Sequence, residues 1–379
     1  MTFLGETNMS YPLFARCLSL WLVISLTACT GAAEPATEAQ SACPQPTVKV
    51  ELTATEVNLF TWPEYVPEEI IDCFQTVYGI EVNQDLFSSP EEMYAKVARG
   101  ATGYDLIQPP DYMVALLIKQ GLLAPLDHAQ LPVLDHFAPQ YRNPAFDPGN
   151  QYTLPYQSGS SAIAYRADKV TPPTAYADLW KAEYANRLVM LDDSRTIIGA
   201  TLLTLGYDVN TSDPTELAAA KAKLLELTPN VRLFDSDSPK TALIGGDADL
   251  GIIWSGEAAL AQAENDQIAY LYPSEGPILF QDNFAILADA PNADAAYAWL
   301  NYLYQPDVFW QVMRDYPFTN PHVASLAWAK EHQPEVYNTY MASNITNIPE
   351  AVLQKGHWLH DLGDATPLYD QIWTESKGQ

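Results

Sequence analysis

Aromatic rings and acids recur side by side in short stretches of this chain: Trp62-Pro63-Glu64-Tyr65, Asp111-Tyr112 and Phe280-Gln281-Asp282. Asp192-Asp193 and Trp254 stand in comparable places, each at the end of an apolar run. Ring faces attract cations, by about 0.5 kcal/mol when exposed and about 2 when desolvated, and the same rings cover methylene groups. Carboxylates bind ammonium groups through charge-assisted hydrogen bonds. A cleft lined by both suits a long aliphatic ammonium. Each ring taken singly reads as core packing, so the argument rests on several of them falling together at strand ends.

The residues for covalent chemistry are missing. The sequence has no G-x-S-x-G, H-E-x-x-H, P-loop, G-x-G-x-x-G or C-x-x-C pattern. His357 and His360 sit three apart but lack a third ligand, so they read as surface or packing residues and no metal is expected. No cofactor and no enzymatic activity are expected either.

The elements that must position these residues alternate between strand and helix. Val57 to Phe60 reads as a strand, Pro67 to Gly79 as a helix with proline at its start and glycine at its end, and Ile80 to Val82 as a strand. Ser89 caps a further helix closed by Gly100, and Tyr104 to Ile107 returns to strand. This alternation predicts parallel βαβ units, with ligand-binding loops at the carboxyl ends of the strands. Two longer extended stretches, Tyr152 to Tyr165 and Leu279 to Ala288, read as crossings between two discontinuous lobes. Between them come a helix at Pro214 to Leu227 and strands at Val231 to Phe234 and Leu250 to Trp254; helices at Ala295 to Tyr304 and Pro306 to Arg314 follow.

A length of 379 residues suits two compact domains, and 48% hydrophobic with 17% charged residues is a globular composition. The net charge of -28 repels a phosphate backbone, which excludes nucleic acid as a partner and draws cations. Phe14 to Leu26 is too short an apolar run to span a membrane and reads as a signal peptide, with Met9 an alternative start. Leu26-Thr27-Ala28-Cys29 resembles the bacterial lipobox, which predicts cleavage after residue 28, a lipid on Cys29 and anchorage to a membrane. Residues 29–48, rich in Ala, Glu, Pro and Thr, read as a tether. Cys43 and Cys73 then remain in an oxidising compartment, and a disulfide between them is expected to tie the N-terminal arm to the first helix.

From Val57 to its C-terminus the chain resembles the periplasmic spermidine/putrescine-binding proteins of polyamine ABC importers. The stretches that carry the likeness are Trp62 to Pro67, Met93 to Lys96 with Tyr104 to Leu106, Asp178 to Lys181, Leu250 to Gly256, and Tyr316-Pro317. The resemblance implies a two-lobed α/β periplasmic binding fold of type II, with two crossing hinge strands and a ligand cleft between the lobes. The expected lobes are 49–160 with 280–324 and 161–279 with 325–379. Carried over by position, Trp62, Tyr65, Tyr112, Trp254, Phe280 and Tyr316 form an aromatic box. Asp193 and Asp282 pair with ammonium groups, Glu64 lies near one end and Ser236 is a polar neighbour. The sequence departs from the family where a ligand glutamate becomes Thr196, a tryptophan becomes Phe280 and a glutamine becomes Leu359, while Pro63 and Pro110 replace hydroxyl residues. One charge partner is therefore lost, Asp111 is the substitute at hand, and an unpaired third ammonium either favours a shorter diamine over spermidine or shifts the register of binding. The implied function is a monomeric, extracytoplasmic lipoprotein that delivers a polyamine to an ABC permease. A sensor presenting its closed form to a signalling receptor, or a binder of another small cation, are the alternatives.

Overall fold

In the computed structural model, residues 43–100 and 102–377 are described. The expected signal peptide, Cys29 and tether residues 29–42 lie outside the described residues. The first strand, β1 (Glu56–Thr61), is buried on both faces: adjacent Leu59 and Phe60 point to opposite sides of the sheet and each is 1% exposed. A helix, Glu68–Tyr78, follows Pro67 and stops where Gly79 takes the left-handed conformation (φ 68°) that a side chain resists. β2 (Glu81–Leu86) then pairs parallel to β1. The Ser89 hydroxyl accepts the Glu92 N–H at 3.2 Å and starts the helix Pro90–Val97, which ends three residues before the expected Gly100. β3 (Leu106–Ile107) closes a parallel triplet with β1 at its centre.

A second parallel triplet is built the same way from β5 (Leu188–Met190), β6 (Val231–Phe234) and β7 (Leu250–Trp254), with β5 at its centre. Between the triplets run two longer strands, β4 (Thr153–Arg166) and β9 (Ile278–Ile286), antiparallel to each other. The later half of β9 lies beside β3, while the later half of β4 lies beside β7 and β8 (Ile268–Leu271). Each long strand therefore has one end in each triplet's half, as the two crossings predict. The sheet order is β2-β1-β3-β9-β4-β7-β5-β6, with β8 on β4 and β10 (His357–Trp358) on β9. The sequence showed neither β8 nor β10, because each is short and depends on a neighbour across the chain.

One core lies wholly in the β1 half, where Phe74, Trp299, Trp310 and Phe309 pack under the sheet; a smaller one, with Val189, Leu243 and Ile253, lies wholly in the β5 half. A third apolar cluster joins the halves, since Phe60 and Tyr112 share it with Ile197 and Ile252. The helices Val323–His332 and Pro334–Ala342 belong with the β1 half: Ala329 and Tyr340 enter its core, and Trp310 Nε1 donates to Gln333 Oε1 at 2.9 Å. Further on, Ile345 joins the core of the β5 half and the helix Thr366–Lys377 packs there too. Nothing in the local sequence pattern reports this cross-chain packing of Ala329 and Tyr340.

Cys43 and Cys73 are bonded, with Cα atoms 5.2 Å apart, and the Thr47 N–H donates to Gln305 Oε1 at 2.6 Å. The last residues of the expected tether are thus fastened to the first helix and its neighbours. Replacing both cysteines by serine is expected to lower the unfolding free energy by about 3.6 kcal/mol, the chain entropy of a thirty-residue loop. Urea denaturation of the two proteins measures it.

Candidate ligand-binding cleft

The carboxyl ends of the parallel strands converge on one cleft. β1 ends at Trp62 to Tyr65, β3 leads to Pro110 and Tyr112, β5 to Asp193 and Thr196, β6 to Ser236 and Asp237, and β7 ends at Trp254, all of which line it. Phe280 and Asp282 of β9 line it from the crossing strand. The space enclosed, mouth included, is about 710 Å³. This is where a parallel sheet exposes its loop backbones and where side chains can converge without breaking the hydrogen-bond ladder.

Nine of the eleven expected ligand residues line this cleft: Trp62, Glu64, Tyr65, Tyr112, Asp193, Ser236, Trp254, Phe280 and Asp282. Asp111 does not. Its carboxylate folds back on its own helix, Asp111–Lys119, where Oδ1 accepts the Tyr112 N–H at 2.9 Å. Tyr316 also stays outside the lining; it is half-buried, and Phe318 two residues on takes its place. The Phe318 ring meets Tyr65 at 5.6 Å and Phe280 at 6.0 Å, both edge to face. Trp254 meets Phe280 at 5.5 Å in the same manner. Two glycines seat these rings. A Cβ at Gly159 would stand 2.7 Å from the Phe280 ring, and one at Gly256 would stand 2.4 Å from the Phe318 ring.

Sequence reasoning missed Phe318, Ser161, Ile278, Pro90, Asp237 and Glu257 as lining residues. The signal for Glu257 was its place directly after Trp254-Ser255-Gly256, where a helix begins at the end of β7. Thr196 and Leu359, the departures noted in sequence, both face the cleft.

Burial dominates the electrostatics. Asp282 is 6% exposed and accepts the Tyr65 hydroxyl at 2.5 Å; desolvation outweighs that bond and pushes its pKa up to about 7. Asp193 caps the helix Ser194–Thr204, its Oδ1 accepting the Thr196 N–H at 2.6 Å, yet burial still raises it. Glu91, which accepts the Tyr112 hydroxyl at 3.1 Å, is pushed up to about 7 by burial and by the nearby charge of Asp193. Neither Asp193 nor Asp282 has a salt-bridge partner among the described residues. Three buried polar atoms of the lining, Trp62 Nε1, Ser161 Oγ and Ser236 Oγ, likewise have no hydrogen-bond partner among the described residues. The arrangement can hold cations between rings.

A two-lobed α/β fold with a cleft at the crossing strands defines a solute-binding protein. The model of the bacterial extracellular solute-binding protein family matches residues 69–335, and the chain belongs to that family. Spermidine/putrescine-binding periplasmic protein 1 of Haemophilus influenzae is 37% identical over 343 residues, which cover 88% of this chain and 92% of that protein. Among solved structures, the spermidine/putrescine ABC transporter substrate-binding protein PotD of Streptococcus pneumoniae matches with a TM-score of 0.69 and 30% identity. That match covers 86% of this chain and 99% of the other. The Tp0655 (TpPotD) lipoprotein of Treponema pallidum matches with a TM-score of 0.74 and 26% identity over 86% of this chain and all of that one.

Carboxyls whose folded pKa is raised bind protons more tightly folded than unfolded. Their contribution to stability is full below the unfolded value near 4 and is lost as pH rises through about 7. The ligand-free protein is therefore expected to melt at lower temperature at pH 8 than at pH 5. Asp282→Asn should flatten that slope, with a midpoint a few degrees higher at pH 8 and little changed at pH 4. Calorimetry across pH checks both.

Proposed function

We propose that this protein captures a linear polyamine of the putrescine/spermidine class in the interlobe cleft and delivers it to an ABC importer, without chemical change to the ligand. The observation that carries the reading is the pair Asp193 and Asp282, buried in an aromatic cleft with no cation bonded to either among the described residues. Ammonium groups of a ligand supply the missing charge. The faces of Trp62, Tyr65, Tyr112, Trp254 and Phe280 cover the methylenes, and Ser161 and Ser236 hydroxyls accept further N–H bonds. The names of the relatives from Haemophilus influenzae and Streptococcus pneumoniae support this ligand class and transport role.

The working lobes in this reading are 49–160 with 280–342 and 161–279 with 343–379, turning about β4 and β9 as the ligand enters. Glu91, through Tyr112, takes the supporting charge role that sequence reasoning gave to Asp111. The protein acts as a monomer outside the cytoplasmic membrane, held there by a lipid on Cys29. The lipobox and the lipoprotein from Treponema pallidum support the anchor.

Isothermal titration with putrescine, cadaverine and spermidine tests the ligand. Asp193→Asn or Asp282→Asn is expected to weaken amine binding by about tenfold or more, the scale of a lost buried ion pair. Because the bound ammonium needs an ionised Asp282, affinity rises with pH from about 6 to 8 in the unaltered protein and much less in Asp282→Asn. Absence of binding by every amine, in protein refolded from denaturant, would overturn the assignment. Separately, Cys29→Ala is expected to abolish incorporation of radiolabelled fatty acid and to move the protein from the membrane fraction to the soluble one.

A further inference from the structure

Resting on the polyamine reading, a second feature of the cleft concerns which polyamine fits. Glu64 and Glu257 line one end of the cleft, and the Lys240 ammonium stands between them. Lys240 Nζ donates to both Glu257 oxygens at 3.0 Å and to Glu64 Oε2, and Ser238 Oγ accepts a further bond at 3.0 Å. The lysine side chain is 16% exposed and that of Glu257 only 8%. The Glu64 side chain is 47% exposed, so this is an ammonium site buried on the Glu257 side and open on the Glu64 side, with its acceptors arranged around a cation that the protein itself supplies.

The contact spans the molecule. Glu64 follows β1, and Lys240 opens the short helix Lys240–Gly245 after β6; five strands separate β1 from β6 in the sheet. Glu64 reaches it from a left-handed backbone (φ 48°), a conformation that a non-glycine residue adopts at a cost. Strain of that kind is kept where surrounding contacts impose it. Burial draws the Lys240 pKa down, but Glu257 and Glu64 outweigh that and hold it above the ordinary lysine value, so the group is a cation at neutral pH.

We infer that Lys240 is a built-in ammonium that fills the Glu64–Glu257 end of the cleft and thereby sets ligand length. A ligand ammonium entering that end meets a like charge and acceptors already saturated, which leaves Asp193 and Asp282 to bind the two ends of a diamine. A triamine must leave one ammonium unpaired or displace Lys240. The lysine determines specificity through repulsion as well as through occupancy.

The test compares Lys240→Met, which keeps most of the apolar stem, with the unaltered protein by titration with putrescine and spermidine. The ratio of the spermidine to the putrescine dissociation constant is expected to fall about tenfold in Lys240→Met. A change smaller than about threefold overturns the inference, as does parallel weakening of both amines. A second arm does not depend on polyamines. Lys240→Ala removes the atoms that n-propylammonium carries, so n-propylammonium is expected to raise the thermal midpoint of Lys240→Ala above the effect of sodium chloride at equal ionic strength. It should do so neither for the unaltered protein nor for Lys240→Ala/Glu257→Gln. Equal response in all three proteins, or none, overturns the inference. Rescue by n-propylammonium in a protein that binds no polyamine would instead sustain the ammonium site and sink the polyamine reading.

Discussion

Burying a carboxylate without a countercharge is the constraint around which this structure is organised. Water solvates the charged form so well that removal to a cleft walled by rings pushes Asp282 and Glu257 up to about 7 even with a hydroxyl or an ammonium bonded to them. A protein selected for stability alone would replace such groups by apolar ones of similar volume. This chain keeps them and surrounds them with partial compensation. The Tyr65 hydroxyl donates to Asp282, and a helix N-terminus faces Asp193. The rings that exclude water also raise the attraction of whatever cation enters, because the same low dielectric acts on both.

The crossing strands make that constraint sustainable. Asp282 and Phe280 sit on β9, which pairs with β4 along most of its length, so the carboxylate hangs on a rigid ladder. Gly159 on β4 and Gly256 in the first turn of the helix after β7 remove the atoms that would push Phe280 and Phe318 outward. Trp62 to Tyr65, Ser236 and Asp237 come from loops at strand ends, where a turn changes direction without loss of sheet hydrogen bonds, while Tyr112, Thr196 and Glu257 stand in the first turns of helices that follow such ends. Stability is supplied elsewhere, in the core around Trp299, Trp310 and Phe74, and in the covalent tie from Cys43 to Cys73.

The two halves meet through unlike contacts. Ile197, Tyr112 and their neighbours form an apolar seam; the Arg195 guanidinium lies 5.0 Å from the centre of the Tyr112 ring and donates to the His360 carbonyl at 3.1 Å. At the other end the contact is ionic, from Glu64 through Lys240 to Glu257. Apolar seams are indifferent to which cation enters. An ionic contact is not, and that difference gives the two ends of the cleft different parts in ligand choice.

Much of this architecture was legible in the residues. Period-two and period-3.6 patterns, proline at helix starts and Gly79 past a helix end placed β1, the first helix, β7 and the Pro214–Leu227 helix within a residue or two, since those signals are local. Aromatic and acidic stretches at strand ends marked Trp62, Asp193 and Trp254, because the carboxyl ends of parallel strands converge whatever the details of the loops, whereas Asp282, read in the same way, sits mid-strand on β9. The sequence by itself determined the longer strands and helices and which of their ends face one another, but not the short strands β5, β8 and β10. Only the tertiary structure decided that Phe318 and not Tyr316 lines the cleft, that Asp111 folds back on its own helix, that the helices Val323–His332 and Pro334–Ala342 join the first half, and that Lys240 stands between Glu64 and Glu257. Apart from the local bond from the Tyr112 N–H to Asp111, these depend on side chains far apart in sequence competing for the same few ångströms, and contacts of that range leave no periodic trace in the chain.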